Sequence, residues 1–142
     1  MTIAAILASK GRKVMSVDSA IAVAEAVELL AKHRIGALPV TQGGNVAGIF
    51  SERDLVYGLN REGEALLARR VGDVMTAPAI TVDPGETVLG ALALMTQRRI
   101  RHLPVIEDGR CTGFVSIGDL VKYRIERIES EAEAMRSYIQ AV

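Results

Sequence analysis

The segment IGALPVTQGGNVAGIFSERDLV, Ile35 to Val56, returns 65 positions later as IRHLPVIEDGRCTGFVSIGDLV, Ile100 to Val121, with no insertion or deletion. Each copy holds a Leu-Pro-Val run, then a glycine (Gly48, Gly113), then Ser-x-x-Asp-Leu-Val starting at Ser51 or Ser116. Extended to Val14–Gly58, 16 of 45 positions are identical to their counterparts. Apolar positions and turn glycines match together, so one supersecondary unit is written twice and the architecture is a pseudo-twofold pair.

Within each copy, apolar runs flank a turn. Leu38–Thr41 and Val46–Ser51 enclose Gln42-Gly43-Gly44-Asn45, and Leu103–Ile106 and Cys111–Ser116 enclose Asp108-Gly109. Glycine tolerates the positive φ of tight turns, so both are hairpins. Upstream, Val23, Ala26, Val27 and Leu30 fall at i, i+3, i+4 and i+7, and Val88, Ala91, Leu92 and Met95 repeat the spacing. Each set predicts a core-facing helix. The β-branched runs Val14–Val17 and Ala79–Val82 predict a first strand, and a second helix begins near Ser51 and Ser116. The unit is β-α-β-β-α and the fold class α/β.

The division expected is 1–70 for the first unit with its N-terminal segment and linker, and 71–142 for the second with a C-terminal helical extension. Gly58, Asn60 and Gly63 predict that the first unit's last helix frays into the linker between Tyr57 and Arg70. The final helix has no glycine or proline from Asp119 to Val142. Along it Val121, Ile125, Ile128, Ala132, Met135 and Ile139 alternate spacings of four and three. That stripe is shorter than a confident coiled coil, and packing on its own domain or on a second subunit both satisfy it. A dimer contact is the favoured reading.

At 142 residues and 49% apolar, the chain can fill one domain or two halves sharing a core. Seventeen basic residues balance seventeen acidic ones, so no global field attracts nucleic acid or an anionic membrane. The single Cys111 excludes an internal disulfide framework and multi-cysteine metal sites, which suits the reducing cytoplasm. Thr2–Ala8 is short and followed by Lys10, Arg12 and Lys13, the reverse of a secretory signal. Ala20–Ala31 carries Glu25 and Glu28 and is too short to span a bilayer. A soluble protein with no membrane partner is expected.

Paired units with L-P-V on the second strand, a glycine before the third, and S-x-x-D-L opening the last helix resemble the tandem CBS (cystathionine beta-synthase-like) pair, or Bateman module. The resemblance runs from about Ile6 to Tyr123, since even Ile6 and Val71 keep the register. It implies that the two units pack face to face, that the chain dimerises as a flat disc, and that adenosine derivatives bind in the clefts between units. It implies a stand-alone, non-catalytic module that signals to a separate effector protein. AMP is the first expected ligand, ahead of ATP, ADP, NAD(H) and S-adenosylmethionine. By resemblance Asp54 and Asp119 bind ribose hydroxyls, Ser51 and Ser116 approach the phosphate, Ser16 and Thr81 offer first-strand hydroxyls, and Pro104 lies with them.

The residues support this independently. A carboxylate accepts two hydrogen bonds from a vicinal diol, and helix-start N–H groups favour a phosphate. Serine at an N-cap with an acid three residues on is also the pattern of a capping box, so capping stands beside ligand binding. Capping alone leaves unexplained why the acid is aspartate both times. Before the second strand, Arg101-His102 of one unit replaces Gly36-Ala37 of the other, and Arg53 stands opposite Gly118. The first set could neutralise a phosphate or stack on adenine, so the two clefts should differ. Arg98 and Arg99 fit a solvated helix end.

An enzyme would have to be built from His33, His102 and Cys111, which show no duplicated pairing. G-x-G-x-x-G and G-x-x-x-x-G-K-[ST] are both missing, and no metal or catalytic cofactor is expected. A ligand-free dimerisation scaffold is the alternative. Nucleic-acid binding through Arg69-Arg70 and Arg98-Arg99-Arg101 ranks third, because aromatic residues are sparse.

Overall fold

The computed structural model describes residues 1–141; Val142, the last position of the expected C-terminal helix, lies outside them. The chain begins with α1 (Ile3–Lys10), followed by β1 (Val17–Asp18), α2 (Val23–His33), β2 (Ala37–Gln42), β3 (Asn45–Ser51) and α3 (Glu52–Glu62). A 3-10 segment, Gly63–Ala68, leads to the short α4 (Val71–Val74). The second unit follows as α5 (Val88–Arg98), β4 (His102–Glu107), β5 (Arg110–Ser116) and α6 (Ile117–Ala141).

Both expected hairpins form. β2 pairs antiparallel with β3, and β4 with β5, each with a register irregularity at the equivalent place, Val40/Thr41 and Val105/Ile106. The turns Gly43-Gly44 (φ 61° and 85°) and Asp108-Gly109 (φ 51° and 78°) have two successive positive φ values. That is the primed turn whose twist suits a hairpin. The two core-facing helices also form, burying Val23, Ala26 and Leu30 on α2 and Val88, Ala91 and Met95 on α5.

The first strands are shorter than expected. β1 keeps only Val17–Asp18, parallel to Val40 and Thr41, and the second unit keeps a single bridge between Val82 and Val105. Val14, Met15, Ala79 and Ile80 instead line the space between the units. Val14 and Ile80 carry β propensity, but pairing with the hairpins is confined to Val17–Asp18 and Val82.

The expected fraying after Tyr57 does not occur. Gly58 is a seat: a Cβ there would stand 2.7 Å from both methyls of Leu66, which is fully buried. Arg69 Nη1 then donates to Glu62 Oε2 at 2.9 Å, closing the 3-10 segment back onto α3. A glycine that looks like a helix breaker is here a hole filled from outside.

The two hydrophobic cores do not follow the order of the chain. Ile3, Ile6 and Leu7 of α1 sit among Val88, Met95, Leu103 and Leu120 of the second unit. Val71 and Val74 of α4 sit among Val23, Leu38 and Phe50 of the first. Backbone bonds fasten both straps: Ile3 N–H donates to Glu86 O (2.9 Å), and Val71 N–H to Ile21 O (2.9 Å). Each unit is therefore completed by the helix that precedes the other. β3 and β5 meet across the interface, and the space beside them is the principal cleft.

Candidate functional site

The cleft encloses about 760 Å³ and is lined by both units at positions 65 apart. Gly36-Ala37 faces Arg101-His102, Ile49 matches Phe114, and Ser51 matches Ser116. A volume of this size accommodates one small-molecule ligand. The expected difference between the halves is present: the second contributes a His102–Phe114 stack, with ring centroids 5.7 Å apart and planes 11° off parallel.

Both S-x-x-D turns fold as reciprocal capping boxes. Asp54 Oδ2 accepts from Ser51 N–H (2.9 Å) while Ser51 Oγ accepts from Asp54 N–H (3.4 Å). Asp119 Oδ2 accepts from Ser116 N–H (2.8 Å) while Ser116 Oγ accepts from Asp119 N–H (3.1 Å). The carboxylates do further work. Thr76 Oγ1 donates to Asp54 Oδ1 (2.8 Å), and Lys10 Nζ donates to Asp119 Oδ2 (2.6 Å) and to Phe114 O (2.7 Å). Thr76 also exchanges two backbone bonds with Ile49, the counterpart of Phe114. The end of each strap thus ties the acid of the unit it completes, through a neutral hydroxyl on one side and an ammonium on the other.

Six of the ten residues expected at the site line the cleft: Ser51, Arg53, Arg101, His102, Ser116 and Asp119. Ser16, Asp54, Thr81 and Pro104 are not among its lining residues. Ser16 and Thr81 are exposed, neighbours of the inward Met15 and Ile80, and Pro104 is buried. Arg53 Nη1 donates to Arg99 O (3.0 Å), bridging α3 to the end of α5 in the other unit. Arg34 and Arg99, at equivalent helix ends, adopt left-handed backbone with φ 51° and 55°. Arg34 lines the cleft with Lys10, Lys13 and Thr76, none of them expected there. For Lys10, Lys13 and Thr76 the repeat register gives little signal, since it matches Lys10 to Met75, Lys13 to Pro78 and Gly11 to Thr76 and does not reveal which unit each strap covers.

Charge is concentrated. Lys10, Lys13, Arg34, Arg53 and Arg101 face two lining carboxylates, Glu52 and Asp119. Burial opposes ionisation of Asp119, but the bonds from Lys10 and Ser116 outweigh it and hold the carboxyl below its ordinary value. His102 is held below its ordinary value by burial first, then by Arg101 and Lys10, against the opposing pull of Asp119. The imidazole is therefore neutral near pH 7. Burial raises the Cys111 thiol, and backbone hydrogen bonds with Gly113 and Val105 only partly offset this. Among the described residues no cluster of three or more His, Cys, Asp or Glu side chains could hold a metal ion. No helix there is long and apolar enough to cross a membrane.

The sequence matches the family profile described as CBS domain over residues 9–61 and 71–126. It is 40% identical over 121 residues to the mitochondrial CBS domain-containing protein CBSX3 of Arabidopsis thaliana, covering 82% of this chain and 59% of that protein. The chain therefore spans less than two thirds of that relative. Against the inosine-5'-monophosphate dehydrogenase of Mycobacterium tuberculosis it is 36% identical over 97 residues, 66% of this chain and 17% of the enzyme. The crystal structure of the CBS-domain protein ATU1752 from Agrobacterium tumefaciens superposes with a TM-score of 0.83 at 40% identity, covering 87% of this chain and 92% of that one. The CBS domain pair of protein MJ0100, in complex with 5'-methylthioadenosine and S-adenosyl-L-methionine, gives 0.79 at 25% identity, covering 89% and 98%. With two matched units, a shared fold and a cleft between them, the chain belongs to the CBS domain family as a tandem pair.

Proposed function

We propose that this chain is a non-catalytic regulatory module that binds an adenine nucleotide in the cleft and reports its occupancy to a separate effector protein. The observation that carries the reading is the convergence on one inter-unit cavity of five cations, the whole Ser116–Asp119 capping box, and Ser51–Arg53 of the first turn. The bound adenosine compounds of the MJ0100 pair support the ligand class. AMP heads the list, with ATP, ADP, NAD(H) and S-adenosylmethionine as competitors.

In this reading Asp119 accepts the ribose diol, His102 and Phe114 present a flat face to adenine, and Lys10 transfers from Asp119 to the phosphate. The ammonium that holds the Asp119 carboxylate in place is then the one that neutralises the incoming anion. On the other side Thr76 yields Asp54 without a change of charge, so phosphorylated ligands prefer the second half-site. The protein acts in the cytoplasm as a homodimer.

Thermal unfolding of nucleotide-stripped protein with each ligand tests the assignment. At about 100 times the dissociation constant, a ligand specific for the native state contributes roughly 2.7 kcal/mol. A nucleotide-dependent rise in midpoint that Asp119→Ala abolishes and Asp54→Ala leaves largely intact is the expected pattern. No shift with any of the five compounds would favour the ligand-free scaffold instead.

A further inference from the structure

From Ile125 to Ala141 every described residue of α6 is exposed, so this part of the helix projects beyond the core. Ile125, Ile128, Met135 and Ile139 are 48–66% exposed on it. Assigning Ile125, Ala132 and Ile139 to heptad positions a makes Val121, Ile128 and Met135 positions d. The residues that seat the helix on its own unit, Leu120 and Tyr123, then fall at c and f, roughly opposite the stripe. The apolar seam is thus free of the body.

The flanking charges select a partner and a direction. The charged g positions are Arg124 and Glu131, and the charged e positions are Lys122, Glu129 and Arg136. In a parallel, in-register pair each g residue meets the e residue of the partner's next heptad. Arg124 meets the partner's Glu129, and Glu131 meets the partner's Arg136; the two-fold axis doubles both. All six apolar layers, Val121 to Ile139, align with themselves.

Antiparallel pairing fails on one count or the other. Full overlap sets Lys122 near Arg136 and Glu129 near its own copy. Shifting by one heptad in one direction matches the charges but places Met135 against Gly118 and carries Ile139 past the start of the other helix; shifting in the other direction pairs Glu129 with Arg136 but shortens the overlap to Ile128–Ile139 and leaves Val121 and Ile125 outside it.

We infer that α6 pairs with α6 of a second copy of this chain as a parallel, in-register two-stranded coiled coil across Val121–Ile139. This deepens the homodimer reading of the preceding section and is independent of nucleotide binding. The test uses the whole 142-residue chain with Cys111→Ser, so that no native thiol competes. Ile139→Cys in that background should form an oxidised, disulfide-linked dimer, because only parallel pairing brings residue 139 to its own copy.

Arg124→Glu should weaken self-association about tenfold, and Arg124→Glu combined with Glu129→Arg should restore it. Helix content from circular dichroism checks that each variant is folded. A wild-type dimer in which Ile139→Cys does not cross-link, or a charge swap that fails to restore affinity, overturns the seam and leaves the homodimer standing. A wild-type mass of 15.2 kDa by light scattering overturns both.

Discussion

Gly48 and Gly113 occupy the same place in the two repeats, yet adding a methyl group should have different consequences at each. At Gly48 a Cβ would stand 2.6 Å from the backbone oxygen of Thr76 and 2.7 Å from Met75 Sδ. The backbone cannot rotate away. Relief requires the strap to move, breaking the two 2.9 Å bonds that Ile49 and Thr76 exchange. Overpacking of about 1–3 kcal/mol plus about 1 kcal/mol for each bond puts Gly48→Ala near 4 kcal/mol destabilising. At Gly113 the nearest atoms are the two Leu7 methyls at 2.6 Å, the ends of a side chain that can repack at about 1–2 kcal/mol. Equilibrium urea unfolding of both single variants, and of Gly113→Ala combined with Leu7→Ala, measures the difference. The double variant should lose less than the sum of its singles, because Leu7→Ala removes the clashing atoms. Equal costs at the two glycines, or strict additivity in the cycle, would refute the packing argument.

Leu7→Ala alone should cost about 3 kcal/mol by chemical denaturation, since Leu7 is buried in the second unit's core although it lies in the first unit's leader. Arg34→Gly and Arg99→Gly should each raise unfolding stability by about 0.5 kcal/mol, because glycine adopts the left-handed cap without the Cβ penalty. His102 has a folded-state value below its unfolded one, so the unfolded chain binds the proton more readily. Stability is complete above about pH 6.5 and falls as pH drops towards the folded value. Unfolding midpoints recorded from pH 8 to 5 should show this loss, and His102→Gln should flatten it across that window.

The fold was legible because duplication separates signal from accident. A turn pattern seen once is weak, but Gly44 and Gly109 at one register, between matched apolar runs, leave little besides a hairpin. The α2 and α5 faces were legible for the same reason. The straps were not: α1 and α4 show apolar positions but no sign of which core receives them, and that choice rests on contacts remote in sequence, Ile3 with Glu86 for one strap and Val71 with Ile21 for the other. Gly58 was misread because its neighbour Leu66 enters from a later turn. At the site, the Asp119 and His102 assignments came from repeat context and from the asymmetry of Arg101-His102 against Gly36-Ala37. Lys10 and Thr76 were missed because each reaches its aspartate through the crossed strap.

The crossed straps give the molecule the form of a domain-swapped dimer whose two protomers happen to share one chain. Each half lends its leader to the other, so neither keeps a finished core when the two are parted. Opening the cleft like a hinge has to stretch the links that follow Lys10 and Val74, because Leu7 and Val71 are each buried in the half other than the one they lead into. Relative movement of the halves turns about a closed, reciprocal clasp, so a displacement of one half is delivered to the other through covalently continuous wedges.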